Sequence, residues 1–291
     1  MKMNFAFIGV ASYIAPRHLY AIKSLKYNLV ISYDIHDNVG ILDRYFPDAL
    51  HFNNFDKFQK EFKQLKKKID YLVIATPNYL HYRYIKFALK NKIKVICEKP
   101  LVISFNHIKQ IEKLEIKYRT SVFNILQIRT LKVVKNLKKQ INKNKFYNIN
   151  INYITPRGHW YQSSWKGKPK KSGGLLFNIG IHLIDLVCYL FGDYKSYKMF
   201  KLNDKIAKGQ ILFNNAKVNF YLSIDRKDLS KDKNKKVIRD FIINNRKIDL
   251  VKNFDQAHID CYREIINKKK FNLNSVKKSI FLASKLKNEL L

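Results

Sequence analysis

Residues 5–9, 29–34, 71–75 and 94–97 are short, nearly continuous apolar runs, the pattern of strands buried on both faces. Between and after them, residues 15–24, 55–67, 79–89 and 104–118 carry apolar side chains at three- and four-residue spacing. That spacing predicts amphipathic helices, the last with Ser104 as its N-cap. Strand followed by helix, repeated, predicts a parallel sheet covered by helices, with ligands at the carboxyl ends of the strands.

The pattern changes after residue 122. A helical stretch at 130–141 leads into longer β-type runs at 147–155, 196–202, 210–213, 217–224 and 237–243. The polar pairs Asn214-Asn215 and Asn244-Asn245 punctuate those runs as hairpin turns would. The prediction is a large, mainly antiparallel open sheet, with helices at 175–191 and 256–266 on or beside it and a closing helix at 275–290. The chain thus reads as α/β: a Rossmann-type, doubly wound parallel sheet over 1–122 and an α+β domain over 123–291.

Charge adds a question that the pattern does not raise. Of 291 residues, 57 are Lys or Arg and 22 are Asp or Glu, a formal net charge of +35. One reading is a polyanion partner. The other is compositional drift: the basic residues are dispersed, Lys, Ile, Asn, Phe and Tyr are abundant, and Gly (9) and Pro (6) are scarce, as AT-rich codons would produce. Dispersal argues against a nucleic-acid footprint, so no specific nucleic acid is expected. Cys97, Cys188 and Cys261 are widely spaced with no CxxC pair, so neither a disulfide framework nor a metal site is expected, which suits a reducing cytoplasm. No run of about 18 uncharged apolar residues is present and the start lacks a signal-peptide pattern, so no membrane association is expected.

Candidate chemistry begins where the first strand meets its helix. Gly9-Val10-Ala11-Ser12-Tyr13-Ile14 occupies the place of a dinucleotide phosphate loop, although only Gly9 of G-x-G-x-x-G remains, with Ala11 and Ile14 at the second and third glycine positions. Asp34, 25 residues after Gly9 at the end of the second strand, suits a carboxylate that accepts ribose hydroxyls. Its charge would repel a 2′-phosphate and so favours NAD over NADP; it also reads as an ordinary surface acid. Thr76 and Asn78 offer polar edges near a nicotinamide ribose, and the same residues read as a proline turn.

Two further motifs carry a resemblance. Cys97-Glu98-Lys99-Pro100-Leu101 follows a strand, and Asn178-Ile179-Gly180-Ile181-His182 opens a long apolar helix. Together they resemble the signatures of the Gfo/Idh/MocA oxidoreductase family, and the resemblance runs in order along the whole chain. It implies a catalytic Lys99 before a cis proline, and a catalytic pair of Asn178 and His182. Four residues apart on a helix, that pair shares one face. Many members of the family have Asp where Asn178 stands, so proton transfer here rests on His182 and Lys99.

Longer stretches at 13–18, 32–35, 77–82, 124–127, 153–155, 157–161 and 164–167 resemble the branch of the family that oxidises UDP-N-acetyl-glucosaminuronic acid (UDP-GlcNAcA). The resemblance implies NAD contacts from Gly9, Val10, Ala11, Tyr13, Ile14, Asp34, Thr76, Asn78, His81, Glu98, Lys99 and Gln127. It implies substrate contacts from Lys99, Arg129, Arg157, Trp160, Tyr161, Trp165, Lys166, Lys171, Asn178 and His182. The basic and aromatic loop among these reads either as carboxylate and diphosphate recognition or as a solvated basic loop.

Oxidation of a secondary alcohol needs a base with a pKa near ambient pH, for which His182 is the candidate; Lys99 either sets an ammonium against the developing alkoxide or, its own pKa lowered by burial, passes a proton. The activity implied is oxidation of the C3 hydroxyl to a 3-keto sugar, ahead of a PLP-dependent aminotransferase in surface-polysaccharide (O-antigen and lipopolysaccharide) synthesis. The resemblance also implies a homotetramer, with 2-oxoglutarate reoxidising NADH. Alternatives are a dehydrogenase of the same family acting on a free sugar or inositol, and a non-catalytic polyanion-binding protein.

Overall fold

The structure is a computed structural model and describes residues 2–229, 236–250 and 256–289. The first part alternates β1 (Asn4–Ile8), α1 (Ala15–Ser24), β2 (Asn28–Tyr33), α2 (Ile41–Tyr45), β3 (Leu50–Phe52), α3 (Phe55–Leu65), β4 (Tyr71–Ile74), α4 (His81–Lys90), β5 (Lys94–Cys97), α5 (Phe105–Tyr118) and β6 (Val122–Asn124). Then follow α6 (Lys132–Gln140), β7 (Tyr147–Ile154), α7 (His159–Ser163), α8 (Pro169–Ser172) and α9 (Ile181–Phe191). The chain continues through β8 (Tyr194–Leu202), β9 (Ile206–Phe213), β10 (Ala216–Ser223), β11 (Ile238–Ile243) and β12 (Arg246–Lys247), and ends with α10 (Gln256–Lys268) and α11 (Leu273–Asn288). Residue 290, the end of the predicted closing helix, lies outside the described residues.

Two compact units form, and the chain does not divide between them at one point. The first comprises Met1–Val102, Asn106–Gln127 and Asp255–Val276; the second comprises Ile103–Phe105, Ile128–Phe254 and Lys277–Leu291.

In the first unit all strands run parallel in the order β3-β2-β1-β4-β5-β6, a doubly wound arrangement whose order reverses between β1 and β4. The residues of β1 after Asn4 and all of β4 are buried, which explains their unbroken apolar runs. β3 and β6 close the two edges with three residues each, too short to leave a periodic signal in the sequence. Helix α3 is capped by Asn54, whose side chain accepts from the Asp56 and Lys57 amides, and it buries Phe58 and Phe62, one turn apart. α10 also belongs here, packed on α1, and not on the antiparallel sheet as its position in the chain suggested. Amphipathic periodicity shows that a helix buries a face, not against what.

The second unit is built on a six-stranded sheet in the order β12-β11-β7-β10-β9-β8. It is mixed: β7 and β10 pair parallel, and the remaining pairs are antiparallel. Both predicted hairpin breaks are turns, and Asn244 and Asn245 have φ of 44° and 67°, the left-handed pair that a two-residue hairpin needs. A five-residue π-helical turn, Leu176–Gly180, precedes α9, and the two pack their apolar side on Ile151, Ile211, Val218, Phe220 and Leu222 of the sheet. The helical run Pro169–Phe191 is long and apolar enough to cross a membrane, but most of it is buried inside the fold.

Beside α9 a buried ion pair ties three segments of this unit. Arg129 Nε and Nη2 donate to the two oxygens of Asp185 at 2.8 and 2.6 Å, and Ser279 Oγ donates to Asp185 Oδ1 at 3.1 Å. The guanidinium also lies 4.8 Å from the centroid of the Tyr189 ring. Arg129, expected among the substrate contacts, gives Nε and Nη2 of its guanidinium to Asp185, which holds that fork bidentately. Removing one partner of such a pair leaves an uncompensated charge. Asp185→Ala is expected to cost about 3 kcal/mol, a fall of roughly 6–12 °C in the calorimetric midpoint, while the double variant Arg129→Met/Asp185→Leu loses less.

Candidate active site

The carboxyl ends of β1 and β4 set the candidate site of the first unit. The chain turns sharply after β1 at Gly9, whose φ is +93° and where a Cβ would sit 2.7 Å from the Ala75 carbonyl carbon, so no other residue fits. The Gly9 amide donates to the Tyr33 carbonyl at 2.8 Å, and Asp34 binds the loop in turn. Asp34 Oδ2 accepts from the Ala11 amide at 2.9 Å and Oδ1 from the His36 amide at 3.0 Å. Val10 is fully buried, Ile14 caps α1 and Tyr13 is 90% exposed. Ser12 Oγ and Thr76 Oγ1 are buried without a protein partner among the described residues. Two unanswered hydroxyls at the point where the strand order reverses suit a bound dinucleotide, as does a carboxylate at the end of β2.

The turn after β5 is anchored at almost every backbone group. The Glu98 amide donates to the Ile74 carbonyl at 2.9 Å, and Asn124 Nδ2 donates to the Cys97 and Glu98 carbonyls at 2.8 and 3.1 Å. The Lys99 amide donates to Glu98 Oε2 at 3.0 Å, and the Lys99-Pro100 peptide is cis. His81 is fully buried, with Nδ1 2.8 Å from the Pro100 carbonyl and Nε2 2.9 Å from the Thr76 carbonyl. Burial pushes its pKa down, against those carbonyls. His81 therefore braces the β4 turn against the lysine turn, and presents no ring nitrogen to a ligand.

The side chain of Glu98 is likewise bonded within the protein. Its Oε1 lies 3.0 Å from His18 Nε2 and 3.3 Å from His258 Nε2, and His18 Nδ1 lies 2.9 Å from the Tyr262 hydroxyl. The paired histidines hold its pKa well below the usual carboxylate range although burial opposes them, and burial lowers that of His18. His18, His258 and Tyr262 escaped the reading of the sequence; the available signal was two histidines on the apolar faces of separate helices. Lys99 itself is partly exposed, whereas Asn78 and Gln127 are buried.

In the second unit, Asn178 lies in the π-helical turn and His182 in the first turn of α9, both partly exposed. Single π turns are frequent at functional positions. Asn178 Nδ2 donates to the Tyr161 hydroxyl at 2.8 Å, an orientation that makes Oδ1 the acceptor on its other side. Tyr161 is buried and burial raises its pKa, so it stays a neutral phenol. Lys166 Nζ lies 5.4 Å from the Trp160 centroid and 5.8 Å from that of Trp165. Burial, and then Arg157, push the Lys166 pKa down. The loop thus gathers Arg157, Trp160, Tyr161, Trp165, Lys166 and Asn178, while Lys171 is exposed on α8.

Residues 3–124 match the family model for the oxidoreductase family NAD-binding Rossmann fold, and residues 138–205 match that for the family's C-terminal alpha/beta domain. The WlbA (WbpB) dehydrogenase of Thermus thermophilus, solved with NAD and alpha-ketoglutarate, is 33% identical with a TM-score of 0.94, over 99% of this chain and 95% of that one. A second structure of the Thermus enzyme, with NAD and UDP-GlcNAcA, gives 33% and 0.93 over 98% and 95%. Among curated proteins, the glucose-6-phosphate 3-dehydrogenase of Bacillus subtilis is 30% identical over 145 residues, 45% of this chain and 40% of its own length. The 2,7-anhydro-N-acetylneuraminate hydratase of Escherichia coli is 28% identical over 182 residues, 55% of this chain and 45% of its own length. The chain thus spans less than half the length of these curated relatives. With the lysine turn after β5, the Asn-His pair at α9, both family domains and near-complete likeness to the Thermus dehydrogenase, the chain belongs to the Gfo/Idh/MocA oxidoreductase family.

Proposed function

We propose that the protein oxidises the C3 hydroxyl of UDP-GlcNAcA to the 3-keto sugar. The observation that carries this reading is 33% identity, over 98% of the chain, to a dehydrogenase crystallised with that sugar and NAD. When bound, NAD supplies the hydride acceptor. The Gly9 turn admits the pyrophosphate, Asp34 takes the ribose hydroxyls, and the Ser12 and Thr76 hydroxyls gain partners. His182 takes the hydroxyl proton as hydride leaves carbon. Asn178, with Nδ2 held by Tyr161, offers Oδ1 to orient that hydroxyl. Lys99 places its ammonium against the developing alkoxide.

Arg157 and Lys166 supply the cations for the sugar carboxylate and diphosphate, between the faces of Trp160 and Trp165. Partial burial leaves Lys166 a cation whose lost hydration a carboxylate would replace. A second reading, oxidation at C3 of a sugar phosphate, is favoured by the likeness to glucose-6-phosphate 3-dehydrogenase; the same two cations would then meet phosphate. As part of the first reading, 2-oxoglutarate reoxidises NADH in place, the protein works as a cytoplasmic homotetramer, and an aminotransferase consumes the ketone on the way to surface polysaccharide.

Lys99→Ala and His182→Asn are each expected to cut turnover by about 10²- to 10⁴-fold while leaving NAD affinity within a few-fold of the wild type. Near-wild-type turnover in both would remove the assignment. With UDP-GlcNAcA, the NADH absorbance should rise and the sugar lose two hydrogens by mass, whereas UDP-GlcNAc, which lacks the carboxylate, should not be oxidised. Lys166→Met is expected to raise KM for the uronic acid by roughly 10- to 100-fold with little change in kcat, as loss of a charge-assisted hydrogen bond predicts. Oxidation of glucose 6-phosphate in preference would establish the second reading.

A further inference from the structure

His18 in α1, Glu98 after β5, and His258 and Tyr262 in α10 form a fully enclosed network in the first unit. His18 and His258 are 0% exposed and Glu98 is 6% exposed. Their ligand-type atoms lie within 4.8 Å of one another, a grouping that would be compatible with a metal ion. The hydrogen bonds account for it without one. A carboxylate can only accept, so both imidazoles must present N–H to Oε1. His258 Nδ1 has no partner among the described residues, and its Nε2 is the nitrogen that presents N–H to the carboxylate. His18 likewise spends its proton on Glu98 and accepts the Tyr262 hydroxyl at Nδ1. Burial holds Tyr262 well above the ordinary phenol range and thus a donor.

The free end of this network is Glu98 Oε2, which accepts the Lys99 amide at 3.0 Å. We propose that Glu98, clamped by His18 and His258, is the positioning residue for Lys99, and that α10 returns to the first unit to complete that clamp. The inference rests on the reading of Lys99 as catalytic. Two helices distant in sequence thereby fix one carboxylate, and the carboxylate fixes the peptide that carries the lysine. Glu98→Gln keeps the shape but cannot keep the bonding. If the amide oxygen faces the histidines, its NH₂ faces the Lys99 N–H, donor against donor; if it is flipped, two imidazole N–H groups face a donor.

The test compares Glu98→Gln, His258→Leu and His258→Gln in the full chain. The glutamine side chain can return an N–H near the place of Nε2, and leucine cannot. Glu98→Gln and His258→Leu are expected to lower kcat about 10- to 100-fold, as small misplacements of catalytic groups do, with NAD affinity unchanged. His258→Gln should recover most of the loss, a rescue that a volume-filling role would not give. A readout free of catalysis is the rate of Lys99 acylation by an amine-reactive reagent, followed by peptide mass analysis. It should change several-fold in Glu98→Gln while other lysines keep their rates.

Unchanged labelling of Lys99, or kcat and NAD affinity falling in step, overturns the proposal. Stoichiometric zinc uptake by the wild type that His258→Gln abolishes also overturns it, in favour of a metal site. Lys99→Ala, run alongside, separates the two ideas. Full turnover in Lys99→Ala removes the catalytic reading, whereas a dead Lys99→Ala beside an unaffected Glu98→Gln removes only the clamp.

Discussion

A negative charge with almost no access to water organises the first unit. An isolated carboxylate in such surroundings would take up a proton, and Glu98 stays ionised only because two imidazole N–H groups and one peptide N–H converge on it. The geometry of those donors is therefore not free to vary. It dictates where α1 and α10 lie against the sheet, and it holds the main chain at Lys99. His81 and Asn124 secure the remaining carbonyls of the same turn from two other directions. Lys99, proposed above as a catalytic cation, stands on a turn whose Glu98 and Lys99 amides and Cys97, Glu98 and Pro100 carbonyls all have partners.

The second unit solves a similar problem with a different device. Asp185 and Arg129 neutralise each other bidentately, and Ser279 brings α11 to the same carboxylate. Here the charged groups unite a 3-10 turn, α9 and α11, and leave the opposite end of the helical run to Asn178 and His182. Both units thus bury an acid as a structural centre, with the candidate catalytic side chains Lys99 and His182 partly exposed one and three residues away.

How much of this could be read from the sequence depended on the range of the interaction. Apolar runs located β1, β2, β4 and β5, and their residue spacing located α1, α3, α4 and α5, because each of those signals is local. β3 and β6 escaped because three residues cannot establish a period. The parallel pairing of β7 with β10 escaped because alternation records which face is buried and not the direction of the neighbour. The ion pair of Arg129 with Asp185 is illegible locally because its partner stands 56 residues further on. The motifs imply cofactor contacts from Glu98 and His81 but carry no sign of the partners both side chains have within the protein, the two imidazoles and the Lys99 amide for Glu98 and two backbone carbonyls for His81. The degraded glycine loop was legible at Gly9, the one position where the close approach of Ala75 leaves no alternative.

The interleaving of the two units bears on the order in which the protein can be made. Synthesis delivers β1 through β6 early, but the segment Asp255–Val276, which carries two of the three side chains that form the network around Glu98, leaves the ribosome only after the sheet of the second unit. Until then His18 has half of its bonding partners, and the carboxylate beside Lys99 lacks one of its three donors. The nascent nucleotide-binding unit must therefore wait, incomplete and with a potential charge in its interior, while the whole of the second unit's sheet is translated.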